Sequence, residues 1–136
     1  MDQEIRIQNA VDQRDRIMFG EPYSKEKYDG GIRKFYDMNW RKFDALVDGG
    51  ILDLNKKQSD ASRLTAFYDF LSEHPLLRCF GYVCSPDEKE TADMVVIEGI
   101  DYKGVVTMRM LVDFVSMFRN ADEFATGVKR LYCRYL

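Results

Sequence analysis

Apolar positions along this chain recur at two spacings, and the change from one to the other separates helices from strands. Between 37 and 48 the spacing is helical: Trp40, Phe43 and Val47 stand at i, i+3 and i+7, with Leu46 beside them. Trp40 is the expected core anchor of this helix. Gly49-Gly50 follows and offers a left-handed C-cap. A second helix is predicted from about 60 to 73, with Ala61, Leu64, Phe67 or Tyr68, and Leu71 along one face. Ser59 or Asp60 is its cap. It stops at His74 because Pro75 disfavours helical geometry in the residue before it. Two amphipathic faces joined by a short polar link predict a helical hairpin.

The pattern then becomes extended. Leu77–Cys84 and Ala92–Tyr102 are rich in aromatic and β-branched residues, and the polar stretch between them holds Pro86. Phe80, Tyr82 and Cys84 share one face of the first strand, and Cys79, Gly81 and Val83 the other. Both faces are apolar, which predicts a central or doubly covered strand. Residues 107–118 read as a helix apolar on most of its circumference, hence a core helix. Met108, Leu111, Val115 and Phe118 form one stripe, and Met110, Phe114 and Met117 a neighbouring one. Asn120 is placed to cap a further turn, ADEF, and VKRLYCRYL closes the chain as a last strand.

The N-terminal stretch is different. Residues 2–18 have helical character, with Asp2 as cap and Asp12 to Arg16 as an i,i+4 pair. The apolar face is thin: Ile7, Val11 and Met18, flanked by Ile5, Ala10 and Ile17. This predicts a helix laid on the domain, or an arm packed against a second copy. Pro22 and Gly30-Gly31 make 19–31 a linker into the core. The expected architecture is therefore α+β in a single domain, 1–136, with a helical arm over 1–20 and a compact core over 32–136. N-terminal helices lead into an antiparallel sheet of about three strands, with a core helix before the last.

Composition narrows the function classes. The chain has 136 residues, 46% hydrophobic and 32% charged, with 20 basic and 23 acidic side chains. That is globular composition, and it excludes a strongly basic nucleic-acid binder. No apolar run approaches the roughly 18 residues of a membrane helix. The opening MDQEIRIQNAVDQRDR is polar, unlike the apolar segment of a signal peptide. Three cysteines, Cys79, Cys84 and Cys133, fit free thiols in a reducing cytoplasm. Their spacing with His74, the single histidine, matches no zinc-ribbon pair, so no metal site is assigned.

Catalytic signatures are missing. The chain lacks a phosphate-binding G-x-x-x-x-G-K-[ST] loop, a G-x-G-x-x-G turn, a G-x-S-x-G elbow and H-E-x-x-H. No catalytic residue and no cofactor is assigned. The carboxylates Asp87, Glu88, Glu90 and Asp93 cluster in the turn between the two strands. Glu98, with Asp101, Tyr82 or His74, is the one carboxylate-based enzyme alternative. Charge is uneven: residues 61–101 hold three basic against eight acidic side chains, and 25–42 six basic against three acidic. The basic stretch interleaves Tyr28, Phe35, Tyr36 and Trp40, the mixture that single-stranded nucleic acid needs. The leading expectation is a small non-enzymatic binding or scaffold protein acting through protein contacts or self-association. The alternative is nucleic-acid binding by segments 25–57 and 128–136, through Lys34, Arg41, Lys42, Lys56 and Lys57.

Overall fold

The computed structural model describes residues 2–54, 61–86 and 95–136, and side chains over 8–54, 63–86 and 95–136. Within them four helices cover one face of a five-stranded antiparallel sheet, an α+β fold. Helix α1 (Asp2–Phe19) is followed by strand β1 (Ile32–Met38), helix α2 (Trp40–Asp48) and helix α3 (Ala61–Glu73). Strands β2 (Cys79–Cys84) and β3 (Val95–Lys103), helix α4 (Met108–Phe118), and strands β4 (Glu123–Gly127) and β5 (Arg130–Arg134) complete the chain. The strand order is β1-β2-β3-β5-β4. No described helix is long and apolar enough to cross a membrane.

Two of the strands depart from expectation. β1 precedes α2 and takes Asp37 and Met38, so the helix expected over 37–48 starts at Trp40. Asn39 sets that start: its backbone is extended and its side chain accepts from the Lys42 N–H at 3.0 Å. At the other end the left-handed residue is Gly50, φ 76°, while Gly49 is not. β4 takes Glu123 and Phe124, the second half of the segment expected to make a helical turn after Asn120. Pairing with β5 gives it a full ladder, Glu123↔Arg134 through Gly127↔Arg130, which an isolated helical turn has no means to match.

The sheet has one apolar face. Cys79, Ile100 and Cys133 lie in one row across β2, β3 and β5, each fully buried. Cys79 and Cys133 are therefore two strands apart, roughly 9–10 Å, which is beyond disulfide reach. Helices α1 to α4 pack each against the next over this face. Its centre is aromatic. Phe67 stacks on Phe118 at 4.9 Å, and Phe70 meets Phe118 edge-on at 5.2 Å and Phe114 at 5.7 Å. Trp40 is half-buried at the margin against Tyr68, with its indole N–H buried and unpartnered; Phe43 and Leu46 are the deep residues of α2. α4 is not a core helix all round. Met110, Phe114 and Phe118 are buried, whereas Met108 is 74% and Val112 57% exposed.

α1 is docked on its own chain. Val11 and Met18 are buried, and so, fully, are Arg14 and Asp15. Arg14 Nε meets Asp15 Oδ1 at 2.9 Å, Nη1 donates to the Cys84 carbonyl at 2.9 Å, and Nη2 donates to the Tyr28 hydroxyl at 2.8 Å. Tyr28 closes the ring by donating to Asp15 Oδ2 at 2.6 Å. Burial, with the Asp15 hydrogen bond, pushes the Tyr28 phenol well up. The 19–31 segment is thus bound to the domain through Tyr28, and its neighbour Tyr23 hydrogen-bonds Ser85 at 2.7 Å. Asp12 accepts from Gln8 and from the Tyr23 N–H. Asp2, Ile5 and Ile7, the caps Ser59 and Asp60, and the turn carboxylates Asp87, Glu88, Glu90 and Asp93 fall outside the described side chains.

Candidate binding face

The other face of the sheet is polar and aromatic, and no described helix lies on it. Strand alternation brings Lys34 and Tyr36 of β1, Phe80 and Tyr82 of β2, Asp101 and Lys103 of β3, and Arg130, Tyr132 and Arg134 of β5 to this side. β3 carries an extra residue where Phe80↔Gly99 gives way to Gly81↔Ile97. Glu98 is that residue.

Phe80 and Tyr132 stack across β3, centroids 6.2 Å apart and planes 13° from parallel. Gly99 lies between the two strands on β3. It sits opposite Phe80 without a side chain, and a Cβ there would collide with the Cys133 carbonyl. The pair forms the floor of a shallow hollow of about 370 Å³, lined also by Tyr36, Asp101, Lys103 and Arg134. Tyr36 is 72% exposed at its edge.

The arginines of this face are answered locally. Arg134 donates to Glu98 Oε2 from Nη2 at 3.1 Å and from Nε at 3.3 Å, and its Nη1 lies 4.0 Å from Glu123. The Glu98 contact raises the Arg134 pKa. Arg130 lies over the Tyr132 ring at 5.0 Å and 3.5 Å from Asp101. Tyr132 donates to Glu123 at 2.7 Å, and this hydrogen bond raises its pKa. Burial, with Cys84 and Glu98 nearby, does the same for Tyr82.

The residues singled out for nucleic acid do not assemble on one face. Lys34 is exposed here, opposite Tyr82. Arg41 and Lys42 belong to α2 in the helix layer, and Lys42 Nζ ties the Met18 carbonyl at 3.1 Å to Asp37 at 3.3 Å. Lys56 and Lys57 fall outside the described residues. Of the aromatics, Tyr28 belongs to the Arg14 ring and Phe35 is buried; only Tyr36 stands free on the open face. The 128–136 segment contributes Arg130 and Arg134, both already beside carboxylates.

The enzyme alternative is dispersed as well. Glu98, Asp101 and Tyr82 do share the open face, but Glu98 is engaged by Arg134. His74 lies in the helix layer, hydrogen-bonded to Asp113 at 2.8 Å. Among the described residues no cluster of His, Cys, Asp and Glu is placed to hold a metal. Comparison with protein-family models, with curated proteins and with solved structures finds no match.

Phe80 and Tyr132 were visible in the sequence as alternating strand residues, but not as a pair. Their contact depends on the strand order β2-β3-β5, which does not follow from local spacing.

Proposed function

We propose that this protein is a non-enzymatic binding module that takes a protein partner on the open face of its sheet. The observation that carries this is the Phe80–Tyr132 pair, paved into a face that no described helix covers and ringed by charges of both signs. Aromatic and arginine side chains dominate the energetics of protein interfaces, since they bury large area with few rotamers lost. The charge pattern favours protein over nucleic acid. A phosphate backbone needs uncommitted cations, and here Arg130 and Arg134 already face Asp101, Glu98 and Glu123. A polypeptide carrying its own mixed charges can exchange with those pairs. Three buried cysteines, none of them in a disulfide, support a place in the reducing cytoplasm.

The test is quantitative affinity capture with the wild type beside a Tyr36→Ala/Tyr132→Ala variant of unchanged circular dichroism. A protein retained by the first and lost from the second is the expected result. Identical retention by both overturns the assignment to this face. Labelled random oligonucleotides, titrated over a salt series, supply the rival arm. Micromolar binding with a clear log–log salt slope turns the reading to nucleic acid.

A further inference from the structure

The two edges of the sheet are protected unequally. β1 carries Arg33, Lys34 and Asp37 and has a register shift between Phe35 and Met38, devices that discourage a further strand. β4, EFATG, has no lysine, no proline and an uninterrupted ladder, and all five of its residues are exposed. Its outward-pointing groups follow from the bonds on the far side of β5. The Gly104 N–H donates to the Lys129 carbonyl and the Tyr135 N–H to the Glu98 carbonyl. Odd-numbered β5 residues therefore turn their backbone toward β3. Arg130, Tyr132 and Arg134 turn theirs toward Gly127, Ala125 and Glu123. Phe124 and Thr126 direct their N–H and C=O outward, to an edge that no described strand pairs with.

We infer that β4 pairs with β4 of a second copy of this chain, about a twofold axis through Ala125, to give one continuous ten-stranded sheet. The edge is self-complementary in three respects. First, in antiparallel pairing centred on Ala125, Phe124 opposes Thr126 of the other copy, so the outward groups of both strands meet as donors to acceptors. Second, Glu123, held by Tyr132 and near Arg134 of its own copy, comes opposite the other copy's Gly127, whose Cβ position is open space, which leaves room along that row toward Arg130 of the other copy. The acidic start of each strand thus faces the basic turn of the other. Third, Ala125 meets Ala125, the smallest side chains at the closest approach. On the helix side the join covers Phe124 and Met117, 36% and 37% exposed at the rim. A twofold normal to the sheet keeps both open faces on the same side. β4 borders the hollow through Glu123, which meets Tyr132 and Arg134, but Ala125 and Thr126 do not line it, so either reading can fail without the other.

Sedimentation velocity from 1 to 300 µM tests this, with a mass of twice 15.9 kDa expected at the upper end. Ala125→Glu places two carboxylates at the axis, and Thr126→Pro removes an outward donor. Each is expected to return the mass to 15.9 kDa, with circular dichroism unchanged. Ala125 occupies a non-hydrogen-bonded pair at the axis, where Cα atoms lie about 4.5 Å apart. Ala125→Cys is therefore expected to cross-link on mild oxidation, whereas Thr126→Cys is not. A wild-type protein monomeric throughout, a dimer surviving Ala125→Glu, or equal cross-linking of both cysteine variants overturns the inference.

Discussion

Arg14 and Arg134 each hold a carboxylate and a tyrosine neighbourhood, and they differ in burial. Arg14 and Asp15 are wholly enclosed, and Arg14 also meets the Cys84 carbonyl and the half-enclosed Tyr28 hydroxyl. Arg134 is 39% exposed and shared between Glu98 and Glu123 in contact with water. Inside the protein a charge without its partner is very costly, so the Arg14 ring commits α1 to one seat. In water the same kind of pair is held weakly, so the Arg134 pairs can rearrange around an incoming partner. One cluster is architecture and the other is surface chemistry.

The sharpest way to break this contrast is Arg14→Leu. It leaves Asp15 as a buried charge with Tyr28 as its one partner among the described residues, and the expected loss is about 3–5 kcal/mol by urea unfolding. Arg14→Leu/Asp15→Leu is expected to be more stable than Arg14→Leu alone, because the Asp15 charge is no longer orphaned. A double variant no better than the single would show that the ring's cost is packing, not charge.

Alkaline pH probes the same interior. Burial pushes Cys133 from 9.0 up to about 12, and Cys79 and Tyr28 also move up. Raised values favour the neutral forms in the folded state. Their contribution is complete below about pH 9 and is lost as pH climbs from there toward 12, at about 1.4 kcal/mol per pH unit for each group in its window. Urea midpoints between pH 8 and 11 should fall, and Cys133→Ala should flatten the fall. A midpoint flat across that range would contradict the buried setting of these groups.

Tyr28→Phe removes one hydroxyl that both accepts from Arg14 and donates to Asp15, with an expected loss of about 1–3 kcal/mol. At the small end, Arg134→Gln is expected to leave the urea midpoint where it is while weakening partner capture. A large stability loss there would make the open-face cluster structural too.

Much of the fold was legible from local pattern. The helical periods around Phe43, Phe67 and Phe114, the stop at Pro75 and the strands containing Cys79–Cys84 and Val95–Tyr102 follow from side chains a few residues apart. The α+β class follows from them. β1 and β4 were missed because edge strands need only one apolar stripe. Arg33, Lys34 and Asp37 hide that stripe in β1, and β4 has only Phe124 to show it. Trp40 and Met108 read as core because size and apolarity say nothing about which side of a helix meets the sheet.

What the amino-acid sequence determined by itself is a set of elements and the faces they would prefer to bury, since propensity and periodicity act within a turn or two of chain. The tertiary structure alone decided the rest. It set the order β1-β2-β3-β5-β4, the enclosure of Arg14 by a carbonyl 70 residues away, the meeting of Phe80 with Tyr132 across β3, and which edge was left open. Those outcomes depend on contacts between distant segments, whose free energy exists only once the sheet has closed and water has been expelled from one of its faces.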